Sequence, residues 1–193
     1  MRIAVIGKGK IGGTLGSKWL AAGHDVVFGV RTPAPSAPSQ APVADAIKQA
    51  EVVLFAVPAS AMASILDAHS ADLGGKILID ATNNMPGPTM SSVRRLTAQA
   101  PSSKVFRAFN SLGWENFANP TFGKDRADLF YCGPGDADAS RIVEELVEAV
   151  GLRPMRVGGL DKVELVDSVT RLWFALATGM NMGRHTAFKV LSG

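Results

Sequence analysis

The chain has 193 residues, 47% of them hydrophobic and 19% charged, and a formal net charge of +3. That is ordinary globular composition, enough for one large domain or a domain with a short extension. The slight basic excess comes with no Lys/Arg run and few aromatic residues, so it reads as attraction for anionic cofactors and not as a nucleic-acid face. A single cysteine, Cys132, excludes an internal disulfide framework and a cysteine-based zinc site. No apolar stretch approaches the ~20 residues that span a bilayer. Met1–Ile6 is too short, and too quickly followed by glycines, to be a signal peptide. A soluble cytoplasmic protein without membrane or nucleic-acid partners is the expectation.

The first predicted strand, Arg2–Ile6, runs into Gly7-Lys8-Gly9-Lys10-Ile11-Gly12 and then a predicted helix over Gly12–Ala22. A GxGxxG alone is weak evidence; placed after a strand and opening a helix it is the dinucleotide-binding turn. Gly7 permits the tight turn, Gly9 lets a diphosphate approach the backbone, and Gly12 lets helix and strand pack closely. Lys10 and Ile11 belong to the same loop, and the helix N-terminus behind it supplies free N–H groups and partial positive charge.

Val26–Phe28 is the second predicted strand, and its far end chooses between cofactors. An acid there holds the ribose hydroxyls of NAD. This chain has Phe28-Gly29-Val30-Arg31-Thr32, while Asp25 lies at the strand's beginning. Arg31 offers a guanidinium fork and Thr32 a hydroxyl and an N–H, which suit a 2′-phosphate. NADP is therefore the expected cofactor. The Pro/Ala/Ser-rich stretch Thr32–Pro42 is expected to be a mobile loop.

A helix over Val43–Gln49 precedes the strand Val52–Val57, whose end carries Ala56-Val57-Pro58. A helix over Ala59–His69 leads to the strand Lys76–Asp80 and to Ala81-Thr82-Asn83-Asn84. A helix over Ser91–Gln99 leads to the strand Lys104–Ala108 and to Phe109-Asn110-Ser111-Leu112-Gly113-Trp114. The segments after these strands are candidate ligand contacts, because ligands bind at the C-terminal ends of parallel strands. Asn83 and Asn110 could equally stabilise turns. Leu129–Cys132 and Pro154–Val157 are further strands, separated by a helix over Ala137–Val150, and Asp161–Thr178 reads as one helix. Most strands are continuous apolar runs, as strands buried on both faces should be. The alternation of strand and helix predicts the α/β class: a doubly wound, mostly parallel Rossmann sheet with a short C-terminal helical extension. The expected division is 1–159 for the NADP-binding domain and 160–193 for the extension.

Neither a nucleophilic triad nor a metal spacing is visible. His24 and His69 fall near helix ends, where surface or capping roles are the commoner fate, and Cys132 reads as a small core residue. With no evident general acid or base, hydride transfer by positioning fits the inventory better than reduction of a ketone or imine. His185, in the tail, is the one neighbouring group that could supply a proton.

The glycine loop with Arg31-Thr32, Asp80-Ala81-Thr82-Asn83, Phe109–Pro120, Tyr131-Cys132-Gly133, Gly151-Leu152-Arg153-Pro154 and the tail around Gly179–Phe188 together resemble one family. It is that of NADPH:coenzyme F420 oxidoreductases, whose domain also forms the nucleotide-binding part of membrane metalloreductases. The resemblance implies hydride transfer between stacked nicotinamide and deazaflavin rings. It implies that Arg31 and Thr32 hold the 2′-phosphate, and that Leu112 and the turn with Met182 and Gly183 bracket the rings. It also implies a homodimer joined through the C-terminal helix. The small-molecule acceptor stays open between coenzyme F420 and a flavin. A reductase of a small carbonyl or imine, and a non-catalytic NADP-binding sensor or redox-partner protein, are the alternatives.

Overall fold

The computed structural model describes residues 1–34, 36 and 39–193. Eight strands make one sheet: β1 (Arg2–Ile6), β2 (Asp25–Val30), β3 (Gln40–Pro42), β4 (Val52–Phe55), β5 (Ile77–Asp80), β6 (Lys104–Arg107), β9 (Asp128–Cys132) and β10 (Arg153–Gly158). A small hairpin, β7 (Thr121–Phe122) and β8 (Asp125–Arg126), stands apart from it. The helices are α1 (Lys10–Ala21), α2 (Val43–Gln49), α3 (Met62–His69), α4 (Val93–Gln99), α5 (Trp114–Ala118), α6 (Ala137–Val150) and α7 (Val163–Phe174).

The sheet order is β10-β9-β6-β5-β4-β1-β2-β3. Its β3-β2-β1-β4-β5-β6 part is wholly parallel and has the doubly wound order of the Rossmann fold. Beyond it β9 runs antiparallel to β6, with Arg107 opposite Cys132, and β10 runs parallel to β9.

Both sheet faces are covered, so the apolar runs divide by alternation. Ile3 and Val5 of β1 face the core built with Leu15 and Trp19 of α1, Phe117 of α5 and Leu146 of α6. Ala4 and Ile6 face the opposite core, built with Ile47 of α2, Leu66 of α3 and Leu96 of α4. The Trp19 indole N–H, fully buried, donates to the Leu146 carbonyl over 3.0 Å and so ties α1 to α6.

Sequence and structure part at several ends. The strand expected over Val52–Val57 stops at Phe55. The expected single helix over Asp161–Thr178 is a 3-10 turn at Leu160–Lys162, then α7, then a π turn at Ala175–Gly179. Within the stretch expected to be a loop, Gln40–Pro42 pairs with β2 as an edge strand, where a proline's missing donor matters least. Pro35, Ala37 and Pro38 of that stretch lie outside the described residues. The short α5 and the β7–β8 hairpin lack the periodicity that would announce them.

The last residues lie against the domain in irregular conformation. The Trp173 indole donates to the Thr186 carbonyl over 2.6 Å, the Asp128 amide donates to the Phe188 carbonyl over 2.8 Å, and the Val190 amide donates to the Asp128 carboxylate over 2.6 Å. Among the described residues no helix is long and apolar enough to cross a membrane.

Candidate functional site

The sheet turns in opposite directions on either side of β1, since β2 flanks it on one side and β4 on the other. A crevice opens outside the C-terminal ends of strands at such a reversal, and the glycine loop sits in it. Gly7 has φ +99°, and a Cβ there would lie 2.6 Å from the Ala56 carbonyl oxygen. A Cβ at Gly12 would lie 2.0 Å from the Gly7 carbonyl oxygen and 3.0 Å from Val5. Both positions are closed to any other residue. Gly9 differs: a Cβ there would meet nothing within 4 Å. Its open face is the side from which a diphosphate can reach the backbone, and Gly9 is also the N-cap of α1. The first-turn amides of that 12-residue helix have no carbonyl within the helix to bond, which suits an anion.

Around this loop the structure gathers the ends of the neighbouring strands. Arg31 and Thr32 follow β2 directly and are exposed, and Arg31 has no carboxylate partner among the described residues. Asp25 opens β2 and lies near Arg2, at the opposite end of the strand. Ala56, Val57 and Pro58 follow β4, and the Ala56 amide donates to the Ile6 carbonyl over 2.9 Å. The Lys8 ammonium stands 5.0 Å from the centre of the Phe28 ring, and that of Lys10 stands 5.2 Å from the Trp114 ring. Ile11 follows Lys10 in the first turn of α1 and is half-buried.

The ends of β5 and β6 rest on a buried charge cluster that pattern reading passed over. Arg107, Asp80 and Asp167 all have side chains 0% exposed. Arg107 lies 2.7 Å from Asp167 Oδ1 and 3.4 Å from Asp80 Oδ2. Its Nη1 also donates to the Thr82 carbonyl over 2.5 Å, and its Nη2 to Asn83 Oδ1 over 2.8 Å. Asp80 accepts from the Thr82 amide at 3.0 Å, the Thr82 hydroxyl at 2.7 Å and the Ser92 amide at 2.6 Å. Asp167 is less well served: its Oδ2 has no partner among the described residues. Burial pushes the Asp167 carboxyl above the usual carboxylate range, against the opposing pull of Arg107. The signal in the sequence was a pair of charges, Arg107 and Asp80, closing otherwise apolar strands.

Asn83 and Asn110 are both engaged inside the protein. Asn83 Nδ2 donates to the Asn110 carbonyl over 2.9 Å. The Asn110 side chain turns toward α7, where its Nδ2 donates to Thr170 Oγ1 over 2.8 Å, and it is 3% exposed. The preceding residue, Phe109, has φ +60°, a region costly for a bulky side chain. Edge-on contacts of its ring with Trp19 and Phe117 hold it there.

Leu112 and the tail turn separate in character. Leu112 belongs to the core and is 4% exposed, which leaves little of its side chain to bracket a ring. Met182 is 61% exposed, and Gly183 closes the turn with φ +87°. Asn116 connects the two regions, since its Nδ2 approaches the carbonyls of Gly113 and Arg184. His185 is exposed, stacked on Phe122 at 4.4 Å with Nε2 2.8 Å from the Asn119 carbonyl oxygen. Cys132 is fully buried and its thiol is pushed up to about 11 by that burial. His24 lies between α1 and β2, and His69 ends α3. No metal-ligating cluster occurs among the described residues.

Residues 2–84 match the family described as NADP oxidoreductase, coenzyme F420-dependent. Over that segment the chain is similar to this family. Over its whole length the family fold is matched by a protein of Arthrobacter sp. FB24 described as a candidate F420-dependent NADP-reductase. The two are 25% identical, with a TM-score of 0.86 and 100% of each chain covered. A Sinorhizobium meliloti protein without an assigned activity is 30% identical, with a TM-score of 0.70, over 83% of this chain and 86% of that one. The rat metalloreductase STEAP3 is 28% identical over 182 residues, 87% of this chain. The chain spans just over a third of that curated relative, 36% of its length.

Proposed function

We propose that the chain binds NADP(H) in the crevice between β1 and β4 and exchanges a hydride with a planar acceptor, a deazaflavin such as coenzyme F420 or a flavin. The observation that carries this reading is the phosphate cradle. Gly9 is open on the crevice side, the first turn of α1 stands behind it, and Arg31, without an ion pair among the described residues, is exposed at the end of β2 where an NAD enzyme places an acid. In this reading the Gly7–Gly12 amides hold the diphosphate and Arg31 with Thr32 holds the 2′-phosphate. Ala56, Val57, Asn83 and Asn110 border the path to the nicotinamide; the Asn83 side chain and Asn110 Nδ2 are bonded within the protein, while Asn110 Oδ1 has no partner among the described residues.

NADPH supplies the hydride when bound; the chain's part is to bind, align and exclude water. Asp80 and Asp167, the acids behind the ends of β5 and β6, are fully buried against Arg107 and out of reach of a substrate, which supports a ring acceptor over a carbonyl or imine. Met182 and Gly183 offer exposed surface for that ring on the tail side. We propose also that the protein is a homodimer joined through α7, on which Leu165 and Leu172, one face seven residues apart, are 55% and 50% exposed. Residues 1–159 then act as the nucleotide domain and 160–193 as the dimer and acceptor element.

The test is NADPH oxidation under single-turnover conditions against coenzyme F420, FMN and FAD. Rapid oxidation by one of them supports the reading. Oxidation only with small carbonyls or imines replaces it with the second, and tight binding without turnover replaces it with a sensor or redox-partner role.

A further inference from the structure

We infer that the Arg107–Asp80–Asp167 cluster is an electrostatic element of the nicotinamide site, holding an uncompensated negative charge that favours oxidised NADP+ over NADPH. The inference rests on the cofactor reading above and adds to it a preference for one redox state.

One guanidinium faces two carboxylates, and all three side chains are 0% exposed. With both acids ionised the cluster holds a net charge of minus one out of contact with water, where screening is weak. Its hydrogen bonding is unequal. Asp80 is saturated by Thr82, Ser92 and Arg107. Among the described residues Asp167 accepts only at Oδ1, from Arg107 and weakly from Asn110, and its Oδ2 is bare.

Arg107 reaches the end of β5 through Asn83, half-buried at the C-terminal edge of the sheet. The cluster therefore lies one side chain behind the edge at which the nicotinamide is assigned. Hydride loss from NADPH moves two electrons and a proton to the acceptor and turns a neutral ring into a cation. A fixed negative charge behind that ring stabilises the cation and the transition state leading to it.

The groups facing Asp167 are few. They are Arg107 from β6, Asp80 from β5, the neutral Cys132 thiol from β9, and Glu164 one turn earlier on α7. Asp167 is the member able to take up a proton, since burial already raises its carboxyl. Protonation cancels the excess charge, so the preference for NADP+ weakens as pH falls.

The experiment measures dissociation constants of NADP+ and NADPH by calorimetry. In general, a unit charge acting over a distance on the order of 10 Å at an effective dielectric of about 20 shifts a relative affinity by roughly tenfold. The account expects the ratio Kd(NADP+)/Kd(NADPH) to rise three- to roughly tenfold in Asp167→Asn, chiefly through weaker NADP+ binding. A folded variant that binds both nucleotides with the wild-type ratio overturns the inference and leaves the cofactor assignment standing. A wild-type series from roughly pH 8 down to about pH 4, the ordinary carboxylate value, needs no variant. The 2′-phosphate and diphosphate titrate identically in both nucleotides and cancel in the ratio. The ratio should rise on acidification, and a flat ratio overturns the inference. Failure to bind either nucleotide overturns both proposals.

Discussion

The Arg107 guanidinium donates to the Asn83 side-chain oxygen over 2.8 Å, so the end of β5 is held from β6 by a fully buried cation. The same group bonds Asp167 of α7. One side chain thus joins two sheet strands to the C-terminal helix. Arg107→Met leaves two buried carboxylates without their cation, and removal of one partner from a buried pair costs about 3–5 kcal/mol. Urea unfolding should show a loss of that order. A loss below about 1 kcal/mol would mean that the cluster is not buried as described.

Asp167 also makes stability depend on pH with a definite sign. Its folded-state carboxyl is raised by burial, so below the ordinary carboxylate value the folded and unfolded chains hold the same proton there. Between that value and the raised one the folded chain binds more protons, and stability falls as pH rises. Asp167→Asn removes this dependence. The variant's stability relative to wild type should therefore improve from acid to neutral pH, as read from denaturant midpoints across the range. A relative stability that worsens toward neutrality would contradict the assignment.

The proposed choice of cofactor rests on Arg31. It is exposed, free of ion pairs among the described residues, and follows β2 directly. A charge-assisted contact to phosphate contributes about 1.5–3 kcal/mol, so NADP(H) should bind at least roughly tenfold more tightly than NAD(H). Arg31→Ala should lose most of that preference and leave NAD(H) affinity nearly unchanged. Equal affinities in the wild type, measured by calorimetry, would contradict the reading.

The α7 face predicts a dimer. Leu165 and Leu172 stand half-exposed, whereas Val166 and Trp173 on the inner face are buried. Light scattering at micromolar concentration should give twice the chain mass, and Leu172→Glu should reduce it to one chain without unfolding the protein. A wild-type monomer would exclude the interface.

Substitutions near the tail separate ring stacking from proton delivery. Met182 is exposed, so Met182→Trp should slow hydride transfer while NADP affinity falls little, because the phosphate anchors lie elsewhere. His185→Ala should leave turnover nearly intact, since the imidazole stacks on Phe122 and faces the Asn119 carbonyl. Loss of turnover in a folded His185→Ala that still binds NADP would point to an acceptor needing a proton.

The glycine loop was legible because each of its parts is local. A strand, a spaced glycine triplet, a helix start and the residue ending β2 lie within one βαβ unit, and backbone sterics fix what each glycine can do. Helices α2 and α6 have the bounds expected from the sequence, and in the structure the Asp136 carboxylate caps α6 by accepting from the Ala139 amide. The charge cluster was not legible. Arg107 and Asp167 are 60 residues apart, and nothing local says that a strand arginine turns inward toward a helix not yet formed. Asn83 and Asn110 looked available for ligand for the same reason, since their partners arrive from distant elements. Leu112 reads as a loop residue by position, yet the turn it enters is folded back onto the core.

The most direct test of the account is a stopped-flow record of NADPH oxidation by the wild-type protein, with coenzyme F420, FMN, FAD and a ferric chelate each offered as sole acceptor. The account predicts a fast single phase with a deazaflavin or a flavin, and a much slower one with NADH in place of NADPH. Absence of oxidation with every ring acceptor, in a protein that binds NADPH tightly, would contradict it.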